Sequence, residues 1–307
     1  MKENLPLELL NKHRESLGLK DPAVFDNENR LFEERPAPAS GAIVFLPKSK
    51  ALINMTLALV SEKVAADGVI VLAGANDAGI RSAKDSYEKY IGPVDQKIVG
   101  NHSALYVGHN KKLSAGKTWR DFLSFFSLSY GVADKAVSIE VANIPGVFSA
   151  GELDAGTKLL LDTISYDKTA VLDVGSGAGA VGAIYKKKNP AANITMCDKS
   201  LLAVKASEET IKKNALEAHI VHSDVFDGID GRFDLILCNP PFHTGIETNY
   251  SFIERFARYA KAHLNRGGQV YIVANSFLPY ERVLEKGIGP TEMIADNGKF
   301  KILMSRA

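Results

Sequence analysis

Between Ala170 and Ala274 the chain repeats one pattern five times: a short apolar run, a turn carrying Gly, Asp or Asn, and a helical periodicity. The runs lie at 170–174, 193–197, 219–223, 233–238 and 268–274. Strands that alternate with helices in this way specify an α/β domain built on a mainly parallel sheet. Such a sheet binds its ligands where the C-terminal ends of the strands meet the following turns. The polar residues of the segment gather at those ends. A glycine loop follows the first strand, Asp198 the second, Asp224 the third and Asn239 the fourth, so four separate placements share one edge.

The fourth strand, Phe233 to Cys238, runs into Asn239-Pro240-Pro241-Phe242. This tetrapeptide suits the methylation of a planar nitrogen. Asn239 offers a side-chain carbonyl oxygen, and Pro240 leaves its backbone carbonyl free. Two prolines fix φ and remove two donors, so both acceptors are held at a set angle. An exocyclic amine that gives its hydrogens to these oxygens turns its lone pair toward an electrophile, while Phe242 supplies a stacking face. The plainer alternative is a proline turn after a core strand. His243 is equally suited to contacting a base or phosphate and to bonding its own loop.

The first strand, Ala170 to Val174, enters Gly175-Ser176-Gly177-Ala178-Gly179. Glycines here allow positive φ and a close approach of backbone to ligand. The loop alone leaves the cofactor open, because Gly175-x-Gly177-x-x-Ala180 also fits a dinucleotide fingerprint with Asp198 as its ribose acid. Two features favour S-adenosylmethionine. The negative charge of Asp173 suits a methionyl ammonium and opposes a pyrophosphate, and hydride transfer has no use for Asn-Pro-Pro-Phe. Asp198 is placed to accept ribose hydroxyls and Asp224 an adenine amino group; as lone residues, both also read as helix caps.

The 307 residues are long for one domain and comfortable for two. In the first half, 5–18 reads as a helix, 42–46 and 69–73 as strands around a helix at 50–65, then a helix at 78–90 and strands at 96–100 and 105–107. No second Asn-Pro-Pro-aromatic occurs there. Residues 111–135 read as a connection whose Trp119, Phe122, Phe125 and Phe126 pack between domains, and Val137–Ala142 reads as a hairpin with 146–149. Asn297-Gly298 between two apolar runs marks a second hairpin at the C-terminus. Net charge is only +1, so any nucleic-acid contact must be local: Lys48 and Lys50, Arg81 and Lys84, Lys111 and Lys112, Lys117 and Arg120, or Lys186 to Lys188. The last three also read as a helix C-terminus. Cys197 and Cys238, with no zinc spacing, suit a reducing cytoplasm. No apolar run reaches membrane-span length, and the first residues lack a signal-peptide core.

Five segments, in order, resemble the ribosomal RNA small subunit methyltransferase C family, bacterial guanine N2-methyltransferases. They are Pro145-Gly146-Val147-Phe148-Ser149, Leu153-Asp154-x-Gly156-Thr157-x-Leu159-Leu160-Leu161, Val171 to Gly179, Cys238-Asn239-Pro240-Pro241-Phe242-His243-x-Gly245, and Ile272 to Tyr280. The likeness is close over 137–307 and weaker over the first half, where Gly74 to Ala83 is similar to part of the family's N-terminal domain. Thr244 departs from the acidic residue common at its position, and the N-terminal half is shorter than in familiar members.

The resemblance implies two tandem Rossmann-like class I methyltransferase domains. Residues 1–135, with the linker 111–135, form a degenerate domain for RNA binding and support; 136–307 form the catalytic domain, a seven-stranded, mainly parallel sheet closed by an antiparallel hairpin. It further implies methyl transfer from S-adenosyl-L-methionine to guanine N2 in 16S rRNA, at guanine 1207 of the assembled 30S subunit, by a cytoplasmic monomer without a metal. Asn239, Pro240 and Phe242 are the expected catalytic residues. Asp173, Gly175, Gly177, Gly179, Asp198 and Asp224 are expected to hold the cofactor, and Pro241, Phe242, His243 and Arg81 the substrate. The same site chemistry also serves adenine N6 or a protein glutamine. A non-catalytic rRNA-binding assembly factor is the alternative of a different class, and a nicotinamide oxidoreductase is more distant.

Overall fold

The computed structural model describes residues 5–13, 16–17, 23–25, 38–132, 136–148, 153–240 and 246–307. These form two compact units, one of 1–123 with 144–146 and the other of 124–143 with 147–307. The expected division at 135/136 lies between two strands that pair. β6 (Ser124–Tyr130) and β7 (Val137–Asn143) form an antiparallel ladder from Ser124↔Asn143 to Tyr130↔Val137. The partner of β7 therefore precedes it in sequence, and the described part of the expected hairpin partner, 146–148, carries no strand. Helix α6 (Leu201–Lys213) holds β7: the Ala142 amide donates to Thr210 Oγ1 at 2.9 Å, and the Glu140 amide to Asn214 Oδ1 at 2.9 Å. The aromatic run of the supposed linker is thereby split. Trp119 is buried in the first unit, where Phe122 lies 6.3 Å from the Tyr90 ring, while Phe125 sits on β6 beneath the Lys213 ammonium.

Among the described residues the first unit carries a five-stranded sheet in the order β1-β2-β3-β5-β4. Its strands are β1 (Ala23–Phe25), β2 (Ala39–Phe45), β3 (Val64–Ala75), β4 (Gln96–Gly100) and β5 (Ser103–His109). The first three run parallel, and β5 is antiparallel to both of its neighbours. Helix α1 spans Leu5–His13, short of the expected end at Gly18. Helix α2 (Lys50–Lys63) starts where Ser49 caps the Leu52 amide at 3.2 Å. It ends under Asn110 and Lys112, whose side chains donate to the Ser61 carbonyl at 2.9 and 2.8 Å and so satisfy an orphan acceptor. The chain then turns at once into β3, which begins five residues before the expected strand. The expected helix at 78–90 starts as a 3-10 turn, Ile80–Ala83, and continues as α3 (Lys84–Tyr90).

The second unit follows the sequence pattern closely. Its seven-stranded sheet has the order β10-β9-β8-β11-β12-β14-β13. The strands are β8 (Ala170–Val174), β9 (Asn193–Asp198), β10 (His219–His222), β11 (Phe233–Cys238), β12 (Leu264–Asn275), β13 (Thr291–Asp296) and β14 (Phe300–Arg306). Only β14 runs against its neighbours, closing the sheet with the hairpin expected at Asn297-Gly298. The strands from β10 to β12 are parallel, β8 and β11 are buried at the centre of the sheet, and the sheet is flanked by α4 (Ala155–Thr163), α5 (Ala180–Lys188), α6, α7 (Ile246–Ala260) and α8 (Glu281–Gly287). Register sets the edge: Val174 is level with Cys197 on β9 and with Cys238 on β11, and Cys238 with Ile272 on β12. Cys197 and Cys238 are free and buried on strands that flank β8, about 10 Å apart. That separation exceeds disulfide reach. No described helix is long and apolar enough to cross a membrane.

Helices α7 and α8 meet at a glycine. A Cβ on Gly287 would stand 2.6 Å from the Ala257 carbonyl oxygen and 2.8 Å from its carbon, with rigid helix backbone on the far side. Gly287→Ala is therefore expected to lower stability by about 1–3 kcal/mol, read as a lower urea midpoint for the second unit. An unchanged midpoint would show that the two helices separate freely.

Candidate functional site

Three glycines build the loop between β8 and α5. Gly175, Gly177 and Gly179 have φ of 74°, 55° and 79°, values that a side chain would strain. The loop is tied to the next strand. The Gly175 and Ser176 amides donate to the Cys197 carbonyl at 2.8 and 3.0 Å, and the Gly177 amide donates to Asp198 Oδ2 at 3.0 Å. Ser207 of α6 adds a bond from its hydroxyl to the Gly177 carbonyl at 3.1 Å. A Cβ at Gly179 would meet Ser207 at 3.0–3.2 Å, so this glycine permits close packing of the loop on α6. A Cβ at Gly175 would meet nothing within 4 Å, so the open side of the loop offers backbone and room to a ligand.

Asp173 lies one residue before the end of β8, where its alternation points it inward. It is 3% exposed, and its Oδ2 accepts from the Gly182 amide at 3.2 Å. Burial and, less strongly, the nearby Asp198 push its carboxyl up to about 7. Burial also raises Asp198, which spends Oδ2 on Gly177 and Oδ1 on the Ser200 amide at 2.9 Å. Each of those oxygens keeps a lone pair for a further donor.

The third strand ends at His222, and a tight turn follows. Val225 adopts φ 61°, rare for a β-branched residue. Three hydrogen bonds hold the turn: Ser223 Oγ and Cys197 Sγ donate to the Val225 carbonyl, at 3.3 and 3.4 Å, and the Gly228 amide donates to Ser223 Oγ at 3.0 Å. Asp224 is thereby presented at the surface, where it meets a partner that sequence reasoning missed. Arg255, on α7, donates to Asp224 Oδ2 at 2.6 Å and to Asp227 Oδ2 at 2.6 Å. The only sequence hint was its place on the polar face of an amphipathic helix, a signal shared by most surface arginines.

Asn239 follows β11 at the same edge, with Pro240 buried behind it. Its Nδ2 donates to Thr157 Oγ1 at 2.8 Å and lies 3.3 and 3.4 Å from the Asp154 carboxylate oxygens. Its Oδ1 is buried and has no partner among the described residues. A buried acceptor without a donor is unfavourable by about 1–3 kcal/mol. Pro241, Phe242, His243 and Thr244 lie outside the described residues. Arg81 belongs to the first unit, exposed on the 3-10 turn. Of the other basic clusters, Lys111 pairs with Asp67, Lys117 with Asp121, and Lys186 bonds the carbonyls of Pro190 and Ala192 beyond its helix. Among the described residues no group of three His, Cys, Asp or Glu is placed to hold a metal ion.

Two family models match the chain: the methyltransferase small domain over 138–304 and the methyltransferase small domain N-terminal over 20–126. The sequence is 36% identical to a ribosomal RNA small subunit methyltransferase C of Vibrio cholerae over 260 residues, 85% of this chain and 75% of that one. It is 33% identical to the protein of the same name from Aliivibrio salmonicida over 317 aligned positions, 98% and 91% of the two chains. A solved T. thermophilus 16S rRNA N2 G1207 methyltransferase, in complex with AdoMet and guanosine, superposes with a TM-score of 0.74 over 90% of this chain and 75% of that chain. At 23% identity that likeness is one of fold: two methyltransferase domains in tandem, the first without the glycine loop and Asn-Pro-Pro of the second.

The buried Asp173 sets a pH dependence. Folded, it keeps its proton to about pH 7, whereas an unfolded aspartate loses it near pH 4. Between these values the folded state binds more protons, so stability falls as pH rises through the window and levels off above it. Asp173→Asn escapes that loss. Its melting temperature relative to the parent, measured without ligand, is expected to climb from pH 4 to pH 7 and then stay constant; a difference independent of pH would refute the buried titration.

Proposed function

From the premise that the chain belongs to the ribosomal RNA small subunit methyltransferase C family, we propose that Asn239 and Pro240 present the exocyclic N2 of a 16S rRNA guanine to S-adenosyl-L-methionine. The observation that carries this reading is the buried Oδ1 of Asn239, unpartnered among the described residues, beside the open glycine loop. The guanine amine delocalises its lone pair into the ring and is a poor nucleophile. Two acceptors held rigidly at its hydrogens favour a pyramidal nitrogen and stabilise the charge that develops as the new bond forms. Asn239 Oδ1 is one acceptor and the Pro240 carbonyl the other. With the amine so fixed, alignment supplies much of the remaining acceleration. No strong general base is needed, since the methylated amine is acidic enough to lose its proton to water.

The residues present fit the cofactor. S-adenosylmethionine supplies a sulfonium methyl as electrophile. Asp173, ionised, counters the methionyl ammonium; the Gly175, Gly177 and Gly179 backbone admits the methionyl segment; the spare lone pairs of Asp198 accept ribose hydroxyls. Asp224, oriented by Arg255, accepts from the adenine amine. Phe242 stacks on the target base, which must leave its helix to enter the pocket, and Pro241 and His243 bind the substrate with it. Arg81 and the rest of residues 1–135 grip RNA and support the catalytic part, 136–307. We assign guanine 1207 in the assembled 30S subunit as the substrate and a monomer in the cytoplasm as the working form.

The test offers labelled S-adenosylmethionine with 30S subunits, naked 16S rRNA, tRNA and release factor, all lacking the modification, and identifies the methylated product by mass spectrometry. N2-methylguanosine in 30S subunits is the expected product; label in adenine or glutamine would retain the site chemistry and refute the substrate. Asn239→Ala should raise the barrier by about 3 kcal/mol with cofactor affinity retained, and near-normal turnover would remove Asn239 from the mechanism. Cofactor affinity should weaken as pH falls below about 7, where Asp173 holds its proton, and Asp173→Asn should flatten that dependence in a calorimetric titration.

A further inference from the structure

We infer that Asp154 and Thr157 are positioning residues that fix which end of the Asn239 amide faces the substrate. The inference rests on the reading of Asn239 Oδ1 as an acceptor for the amine. An asparagine amide is nearly symmetric in shape, and its two ends differ only in hydrogen-bond polarity. Turned over, Asn239 would aim an NH2 at the incoming amine, and two donors would meet. Something must hold the amide one way round.

Asp154 and Thr157 sit at the start of α4, more than 80 residues before Asn239. Asp154 caps that helix, its Oδ1 accepting from the Gly156 and Thr157 amides at 3.0 and 3.1 Å. Capping needs only that oxygen. The other, Oδ2, accepts the Thr157 hydroxyl proton in a short bond and lies 3.3 Å from Asn239 Nδ2. The polarity of the group is therefore forced. A carboxylate has no proton to give, and the single hydroxyl proton of Thr157 is spent on Asp154. Thr157 Oγ1 can then only accept from Asn239, at 2.8 Å. All three oxygens around the amide nitrogen are acceptors, and Oδ1 turned toward them would face three lone-pair carriers. The amide is locked with its nitrogen inward and its Oδ1 turned away, without a partner among the described residues. Gly156 makes the approach possible: a Cβ there would stand 2.9 Å from Val273 Cγ1 on β12 and 3.1 Å from Asp154 Oδ1.

Asp154→Asn separates this role from capping, because asparagine caps as well as aspartate yet brings a donor to Asn239 and lets the amide turn. Thr157→Val keeps the branched shape and removes the hydroxyl, and Thr157→Ser restores it. Single-turnover methyl transfer to unmodified 30S subunits at saturating cofactor is expected to slow about tenfold or more in Asp154→Asn and Thr157→Val. Cofactor Kd and melting temperature should stay close to the parent's, and Thr157→Ser should recover most of the rate lost in Thr157→Val. Built on Asn239→Ala, either substitution should add less than about twofold, because it acts only through the amide. Full-rate Asp154→Asn beside a slow Asn239→Ala overturns the inference and leaves Asn239 in its role. A full further loss on the Asn239→Ala background also overturns it, assigning Asp154 to the helix alone. A near-normal Asn239→Ala removes the acceptor reading first and this inference with it.

Discussion

A parallel sheet buried on both faces leaves polar groups no place except its ends, and that constraint organises the whole second unit. β8 and β11 are apolar along their length apart from Asp173 and the strand's outer Asp234, so their hydrogen-bond ladder is the only polar partner available inside. The ladder in turn imposes register. Because Val174, Cys197 and Cys238 are abreast, the residues that follow them emerge side by side. A shift of one residue in β11 would send Asn239 to the opposite face and bury a different set of side chains. The proximity of the glycine loop, the Asp198 carboxylate and the Asn239 amide is thus a by-product of the core, fixed before any ligand arrives.

Two charges inside this frame behave differently because their surroundings do. Asp173 has lost water on every side and gains one amide bond in return, so it holds its proton to near neutrality. Asp224 remains wet and meets the Arg255 guanidinium. The first responds to an incoming cation, since a nearby positive charge is what would return it to the ionised form. The second is already compensated, and its orientation is set by a fork that also holds Asp227.

What was legible in the sequence was whatever repeats locally. The five parallel strands of the second unit's sheet, the hairpin at Asn297-Gly298 and the positive-φ glycines were each announced by a few neighbouring residues. The misreadings came where the deciding partner was remote. Val137 to Asn143 needed β6 and α6 to complete it, and the strand-like Ser124 to Tyr130 was hidden in an aromatic stretch that read as a connection. Arg255 and Asp224 are 31 residues apart, and Asp154 and Asn239 85 apart. No spacing rule links them; only the sheet register brings their helices and turns together. Asp154, Gly156 and Thr157 stood in a recognised motif, yet nothing in their order said that one carboxylate both caps a helix and faces an amide.

That division of one carboxylate has an evolutionary consequence. Selection ordinarily tunes a helix cap by exchanging aspartate, asparagine, serine and threonine almost freely, because the helix reads only an acceptor at its first amides. At Asp154 the carboxylate also answers to Asn239, and the exchange that leaves the helix content spoils the amide. Drift at this position is therefore closed even along paths neutral for folding. A lineage that lost its RNA substrate would be released from that veto and would show it first here, in a cap that wanders while the core stays put.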